Sequence, residues 1–160
     1  MSVLISFISI AVLTAVDQVI KFVVERYLQP IGSVEFINGF IGWNYVRNTG
    51  AAFGSFLQST TLLSIVTGIV ILAGIVLIAT KKIKSKFYLT CAVMVISGGL
   101  GNLIDRVLKG YVVDFIEVQF TDFAVFNFAD ILVTVGAIAI MIYVIVDMFR
   151  ERKNTGEKHE

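Results

Sequence analysis

The residues that could carry out chemistry in this chain are carboxylates, because the sequence supplies few other reactive groups. Its only histidine, His159, lies in a polar C-terminal stretch, and its only cysteine, Cys91, lies in an apolar run. A single cysteine can form neither an internal disulfide nor a cysteine-based metal cluster, and a single histidine in a tail is a poor zinc ligand. We therefore expect no metal and no cofactor, and any catalysis must depend on aspartate or glutamate.

Two aspartates stand in settings that call for an explanation. Asp114 lies within the apolar stretch 112–116, where nothing adjacent in the sequence compensates its charge, and Asp130 begins a long apolar segment. Asn127 precedes Asp130 by three residues, so the amide and the carboxylate share a face at the start of a helix. The helix dipole alone could account for Asp130, but it leaves Asp114 unexplained.

The segment between Asp114 and Asp130 is long enough to fold back and bring the two carboxyl groups together. Two neighbouring carboxylates cannot both ionise cheaply, so they share one proton and their titrations are coupled. One group can then act as a base and the other as an acid, which is the chemistry of aspartic proteases. The sequence therefore predicts Asp114 and Asp130 as a catalytic pair.

Two further polar groups fall within apolar segments, where an ionisable side chain costs about 2.5–3.5 kcal/mol on insertion scales. Asp17 and Lys21 have the i, i+4 spacing of a helical ion pair, which indicates either structural support or support of a nearby site. Asn102, Asp105 and Arg106 follow a glycine-rich turn of a helix. Their spacing is compatible with capping at the membrane surface and with participation in a site, and does not decide between the two.

The elements that must position these residues are membrane helices. Hydrophobic residues make up 57% of the 160 positions and charged residues only 16%, whereas soluble domains have about 45–50% and about 25%. Four apolar blocks approach the length of about 20 residues that a membrane span needs. They predict helices near residues 4–25, 60–80, 87–105 and 128–149. The first block lacks a basic start and a good cleavage site, so a retained helix is favoured over a cleaved signal peptide.

The basic residues predict how these helices are oriented. Four lysines fall in the loop 81–86, and the tail 150–160 adds two arginines and two lysines, so both segments and both termini are expected in the cytoplasm. The longer segments 26–59 and 106–127 then lie outside, where 34–37, 43–46 and 112–118 read as short strands. The run 50–54 resembles a small-xxx-small packing motif but is better explained as a tight turn. The fold class is a mainly α membrane protein, a single integral-membrane domain over 1–160 with a small extracytoplasmic β element.

Several other functions are disfavoured by the sequence. The net charge of +1 is too small for nucleic-acid binding, which needs a basic patch. A proton-coupled transporter would have ionisable residues through the membrane depth, whereas here they collect toward one side. A metal-dependent membrane lipid transferase could use Asp105, Asp114 and Asp130 as Mg²⁺ ligands and is kept as an alternative.

Five motifs of this sequence, in the same order along the chain, resemble those of lipoprotein signal peptidases, also called signal peptidase II. They are DQVIK at 17–21, NTGAAF at 48–53, GNLIDR at 101–106, VVDF at 112–115 and FNFAD at 126–130. The resemblance implies a bacterial cytoplasmic-membrane aspartic endopeptidase with its site near the outer face, under a small β cradle. Its substrates would be diacylglyceryl-modified prolipoproteins, cut just before the lipidated cysteine.

The resemblance also implies roles for single residues. Asp114 and Asp130 would be the catalytic pair. The substrate-binding residues would be Asn48, Gly50, Asn102, Arg106 and Asn127, and structural support would come from Asp17, Lys21, Asp105 and Ala129. The expected partners are the prolipoprotein substrates and membrane lipids, and the protein is expected to be a monomer.

Overall fold

Four long helices form the body of the molecule. The structure is a computed structural model that describes residues 2–50 and 60–156, with side chains described as far as residue 149. In this part of the chain, α1 spans Val3–Tyr27, α2 spans Thr60–Ala79, α3 spans Lys86–Lys109 and α4 spans Phe128–Gly156. All four contain windows long and apolar enough to cross a membrane. The predicted fold class is therefore confirmed.

Two helices extend more than two residues beyond their predicted ends. α3 continues past residue 105 to Lys109, so Arg106 lies on the helix rather than in the loop after it. The helix stops at Gly110, whose φ of +79° suits the left-handed cap that glycine adopts without a Cβ penalty. α4 continues past residue 149 to Gly156, since its polar extension has no proline or glycine before that point. The run 51–54, interpreted as a turn, lies outside the described residues.

A small antiparallel sheet caps one end of the bundle. Its strands are β1 (Ser33–Ile37), β2 (Ile41–Asn48) and β3 (Val112–Val118), in that spatial order. The register places Val46 opposite Asp114 and Asn48 opposite Val112. β1 follows α1, and β3 connects α3 to α4, so the sheet lies where α1 and α3 end and α4 begins. This arrangement carries Asn48 to the strand that holds Asp114.

The outer faces of the helices are apolar and exposed, which is what a lipid solvent requires. Leu72 on α2 and Phe22 on α1 are 63% and 67% exposed, and only 11% of the apolar window of α2 is buried. By contrast, half of the apolar window of α3 is buried, because α3 packs against each of the other three helices. α3 is thus the central helix, and the residues on it are placed to organise the site.

Glycines on α3 allow this close packing. A Cβ at Gly98 would collide with the backbone carbonyl oxygen of Ala129 on α4, and a Cβ at Gly101 would collide with the carboxylate of Asp17 on α1. A backbone atom cannot move aside as the end of a flexible side chain can. Gly98 therefore fixes the distance between α3 and the start of α4.

Substituting Gly98 with alanine tests this account. We expect Gly98→Ala to lower the free energy of unfolding by about 1–3 kcal/mol, because α3 and α4 must separate to admit the methyl group. Gly68→Ala is a matched control on α2, since a Cβ there would meet no atom within 4 Å. It should be neutral or slightly stabilising through helix propensity. Equal effects in thermal unfolding of the two variants would contradict the role assigned to Gly98.

Candidate active site

A fully buried lysine lies at the centre of the polar cluster between α1, α3 and α4. The Nζ atom of Lys21 is 3.0 Å from Asp17 Oδ2 and 3.1 Å from Asp105 Oδ2, and it donates a 2.8 Å hydrogen bond to Asn102 Oδ1. Three donors therefore meet three acceptors, and no charge of this group is left alone in the low-dielectric interior. The ion pair predicted from the spacing of Asp17 and Lys21 is present.

The two carboxylates that hold Lys21 also hold the backbone of the site. Asp17 Oδ1 accepts a hydrogen bond of 3.0 Å from the N–H of Ala129, one residue before Asp130. Asp105 Oδ2 accepts a 3.2 Å hydrogen bond from the N–H of Val113, one residue before Asp114. Each candidate catalytic aspartate is thus preceded by a residue anchored to the buried ion cluster.

The ion cluster continues toward the sheet through a pair that the sequence analysis missed. Lys109 Nζ is 3.1 Å from Asp105 Oδ1 and 2.8 Å from Glu25 Oε2, which ties the end of α3 to the end of α1. The i, i+4 spacing of Asp105 and Lys109 was a visible signal for this contact. Glu25 could not be assigned, because its partner lies 84 positions away.

The start of α4 is a reciprocal capping box formed by Asn127 and Asp130. Asn127 Oδ1 accepts a 2.9 Å hydrogen bond from the N–H of Asp130, and Asp130 Oδ2 accepts one of 3.1 Å from the N–H of Asn127. Two backbone donors that the helix start would leave free are therefore satisfied. Since the Asn127 oxygen is occupied in this way, its amide nitrogen must point away from the cap.

The amide nitrogen of Asn127 links the surroundings of Asp114 to those of Asp130. Asn127 Nδ2 donates to Asp114 Oδ1 at 2.6 Å and to Asn102 Oδ1 at 3.1 Å. Asn102 Nδ2 in turn donates to Asp130 Oδ1 at 2.7 Å. The orientation of Asn102 is fixed because an ammonium group has no acceptor, so Lys21 can bond only the amide oxygen.

Asn48 completes the set around Asp114. Its Nδ2 donates to Asp114 Oδ2 at 2.8 Å, and its Oδ1 accepts a 2.9 Å hydrogen bond from the N–H of Gly50. Both oxygens of Asp114 are therefore held by amide donors, although the neighbouring sequence offered no compensation. One donor comes from a strand 66 positions earlier in the chain, and the other comes from the start of α4.

The electrostatic setting of Asp114 differs from that of an exposed carboxyl group. Its pKa is raised to about 6, chiefly by burial and also by the charge of Asp130, while hydrogen bonds from Asn48 and Asn127 oppose the rise without cancelling it. Asp114 is only 1% exposed. Its carboxyl group therefore keeps its proton to a higher pH than an ordinary aspartate.

Two cavities meet at this cluster. The outer cavity, of about 510 Å³, is bordered by Asn48, Gly50, Asp114, Asp130 and the segment 123–126. The inner cavity, of about 270 Å³, lies between α2, α3 and α4 and has mostly apolar walls. Arg106, Asp130 and Thr134 border both of them. Asp114 and Asp130 both border the outer cavity, and a chain that extends from it into the inner cavity would pass Asp130.

The remaining predicted residues take distinct places around these cavities. Arg106 has a buried Nε with no hydrogen-bond partner among residues 2–50 and 60–149, so it keeps a donor for a ligand. Asn102 borders the inner cavity, whereas Asp105 points to the two lysines and Ala129 is fully buried. Across the described part of the chain, no group of three or more His, Cys, Asp and Glu side chains could hold a metal ion.

Comparison with known proteins places this arrangement in a family. The family model for signal peptidase (SPase) II matches residues 9–146, which is most of the chain. The chain belongs to the signal peptidase II family. A lipoprotein signal peptidase from Caldanaerobacter subterraneus is 45% identical to it, over 83% of this chain and 90% of that protein. One from Enterococcus faecalis is 37% identical, over 88% of each.

Solved structures agree with this assignment. A bacterial membrane enzyme determined by the in meso method at 2.3 Å resolution superimposes with a TM-score of 0.80 and 34% identity, covering 89% of this chain and 88% of the other. A second in meso structure, at 1.9 Å, gives a TM-score of 0.76 at 34% identity. This signal peptidase II is therefore a multi-pass membrane hydrolase, and its aspartic type agrees with the carboxylates at its centre.

Proposed function

We propose that Asp114 and Asp130 are the catalytic pair of this signal peptidase II, which removes the signal peptide from diacylglyceryl-modified prolipoproteins by cleaving before the lipidated cysteine. The observation that carries the assignment is that both carboxyl groups border one cavity and are linked through Asn127. Membership of the family supplies the reaction, and the geometry supports the residues.

The surroundings of the two aspartates suggest which of them holds the shared proton. Asp130 lies in the first turn of α4, where the helix dipole favours a negative charge, and its two oxygens accept from Asn102 and from a backbone N–H. Asp114 is more deeply buried and has the raised pKa described above. In the resting enzyme we therefore assign the negative charge to Asp130 and the proton to Asp114.

The reaction then proceeds by general acid and base catalysis. Asp130 takes a proton from a water molecule while the oxygen of that water attacks the scissile carbonyl carbon. Asp114 gives its proton to the carbonyl oxygen. In the second step Asp130 passes its new proton to the leaving amide nitrogen and the C–N bond breaks. The re-forming carbonyl returns a proton to Asp114, so the pair ends in its starting state.

The polar residues around the pair divide into two groups. Asn127 donates its amide hydrogens to Asp114 and Asn102, so we assign it the role of positioning the aspartates. Asn48, Asn102 and Arg106 border the cavities and carry side-chain N–H groups that can bond substrate carbonyl groups otherwise unpaired in lipid. Gly50 borders the outer cavity as well, but its N–H is already bonded to Asn48. Exposed side chains of α2 and α4, such as Val70 and Val135, also line the cavities, so acyl chains can stay in the bilayer.

The orientation follows the distribution of positive charge. The lysine loop 81–86 and the basic tail are proposed to lie in the cytoplasm, with both termini inside and the aspartates near the outer face of the bacterial inner membrane. One chain supplies every residue assigned to the site, which supports the proposal that the protein acts as a monomer.

The magnesium alternative loses support from the position of Asp105. Its two oxygens face Lys21, Lys109 and the N–H of Val113, so it does not border either cavity with Asp114 and Asp130.

The deciding experiment incubates the purified protein with a diacylated prolipoprotein and with its unlipidated form, with and without EDTA. We expect a size shift for the lipidated substrate alone, unchanged by EDTA. Loss of cleavage with EDTA would overturn the proposal.

The assignment of the proton also predicts a pH dependence. Because Asp114 must be protonated at rest and its pKa is raised to about 6, kcat/KM should fall as the pH rises through about 6. kcat should begin to fall at a higher pH than kcat/KM does, because bound substrate excludes water from the two carboxyl groups and raises the pKa of Asp114 further. A kcat/KM that rises across this interval would assign the resting proton elsewhere.

A further inference from the structure

The end of the bundle opposite the sheet contains a third cavity, of about 560 Å³, which the peptidase reaction does not use. This basal cavity lies where α1 begins, α2 ends and α3 begins. Its size falls within the range of about 300–1,000 Å³ that is usual for small-molecule sites. Its walls combine apolar side chains with two lysines: Val3, Leu4, Ile78, Leu89, Lys81 and Lys84.

The backbone at Lys81 has a conformation that favours glycine. Lys81 has a φ of +56° and occupies the left-handed position after α2. The N–H of Lys81 bonds the carbonyl of Ile78 and the N–H of Lys82 bonds that of Leu77, which are the two bonds of a Schellman cap. A residue with a Cβ loses about 1 kcal/mol of folding free energy in this left-handed region. A lysine here therefore makes the protein less stable than a glycine would. The backbone conformation therefore does not explain why position 81 is a lysine, and the explanation must be sought in its side chain.

The surroundings of this side chain are positively charged. The loop 81–86 has four lysines and no acidic residue, and the helix starts of α1 and α3, capped by Ser2 and Ser85, lie at the same end. Among the residues that the structure describes, no carboxylate lines the cavity or pairs with Lys81 or Lys84. Asp147, an acid near this end of α4, interacts electrostatically with Tyr88 of α3 and is not part of the lining.

We infer that the basal cavity binds one anionic phospholipid, with its phosphate between Lys81 and Lys84 and its acyl chains along the exposed apolar sides of α1 and α2. Basic pockets between membrane helices at the headgroup level have the chemistry that such lipids require. The apolar walls favour a lipid over a free phosphate ion, because Leu4 and Ile78 offer it no polar partner. The site is separate from the aspartates and needs no peptide substrate.

The test measures how lipids change the thermal unfolding midpoint of the detergent-purified full chain. The probes are short-chain phosphatidylglycerol, phosphatidylcholine of equal chain length, and inorganic phosphate. At a hundredfold excess over Kd, phosphatidylglycerol should raise the midpoint by about 5 °C or more. Phosphatidylcholine and phosphate should have little effect. Equal shifts with both lipids would overturn the proposal, and an equal shift with phosphate would show a free-anion site instead.

Two pairs of substitutions separate a built site from general attraction to a basic loop. Lys81→Gly with Lys84→Gln removes the two lysines of the cavity, whereas Lys82→Gln with Lys86→Gln removes the same charge from the neighbouring positions. We expect the first pair to lose the phosphatidylglycerol shift and the second to keep it. Lys81→Gly relieves the left-handed strain, so the lipid-free protein should remain folded. Equal loss in both pairs would show surface attraction only.

Discussion

Replacing either Asp114 or Asp130 with asparagine is expected to lower the rate of signal-peptide cleavage by about 10³-fold or more, since each substitution removes a proton acceptor or donor from the reaction. Asparagine keeps the size of the side chain and one oxygen acceptor, so the helices and the sheet should stay intact. The measurement is a single-turnover assay on a diacylated prolipoprotein, with folding checked by thermal unfolding. The two groups act as a unit, so the double variant should lose no more activity than either single variant.

Asp122→Asn is the matched control for this experiment. Asp122 is an exposed aspartate in the segment between the two proposed catalytic residues, and it borders neither the outer nor the inner cavity. Its substitution should leave cleavage within about twofold of the unmodified protein, as expected for an exposed surface change. Cleavage by the Asp114 or Asp130 variant at the rate of the control would refute the assignment of that residue.

Replacing Lys21 with methionine is expected to have the largest effect on stability, a loss of about 3–5 kcal/mol. The substitution leaves Asp17 and Asp105 fully buried without their shared cation. It also leaves Asn127 as the one remaining described donor to Asn102 Oδ1, and so weakens the hold on the amide orientation that directs Nδ2 at Asp130. Cleavage should therefore fall as well, even at temperatures where the variant is folded.

Arg26→Met is the control for the loss of a cation from the same helix. Arg26 lies in the last turn of α1 and is exposed, so its removal should change the unfolding free energy by less than about 0.5 kcal/mol. Unfolding curves and cleavage rates of the two variants at equal temperature give the comparison. A Lys21→Met protein as stable as the Arg26→Met protein would contradict the central place given to the buried lysine.

The parts of the structure that local pattern controls could be predicted from the sequence. Apolar length gave the four helices, and the i, i+4 spacing gave the ion pair between Asp17 and Lys21. The three-residue spacing of Asn127 and Asp130 placed both at a helix start, where they form the reciprocal cap. In each case the interacting groups lie within one or two helical turns, where spacing alone determines their relative position.

Contacts between distant segments could not be predicted in the same way. Asn48 reaches Asp114 only because β2 pairs with β3, and the register of two short strands is not visible in their composition. The extension of α3 to Lys109 depends on the cap at Gly110 and brings Lys109 to Glu25. The orientation of the Asn102 amide follows from its contact with Lys21, which only the packed helices reveal.

The most direct test of the shared proton is an infrared titration of the aspartate carboxyl groups, comparing the unmodified protein with the two asparagine variants. The unmodified protein should show one protonated carboxyl signal that titrates near pH 6 and is missing in Asp114→Asn. In Asp130→Asn the same signal should titrate at a lower pH, because the neighbouring negative charge that raises the pKa of Asp114 is gone. A midpoint that Asp130→Asn leaves unchanged would show that the two carboxyl groups titrate independently and would contradict the account.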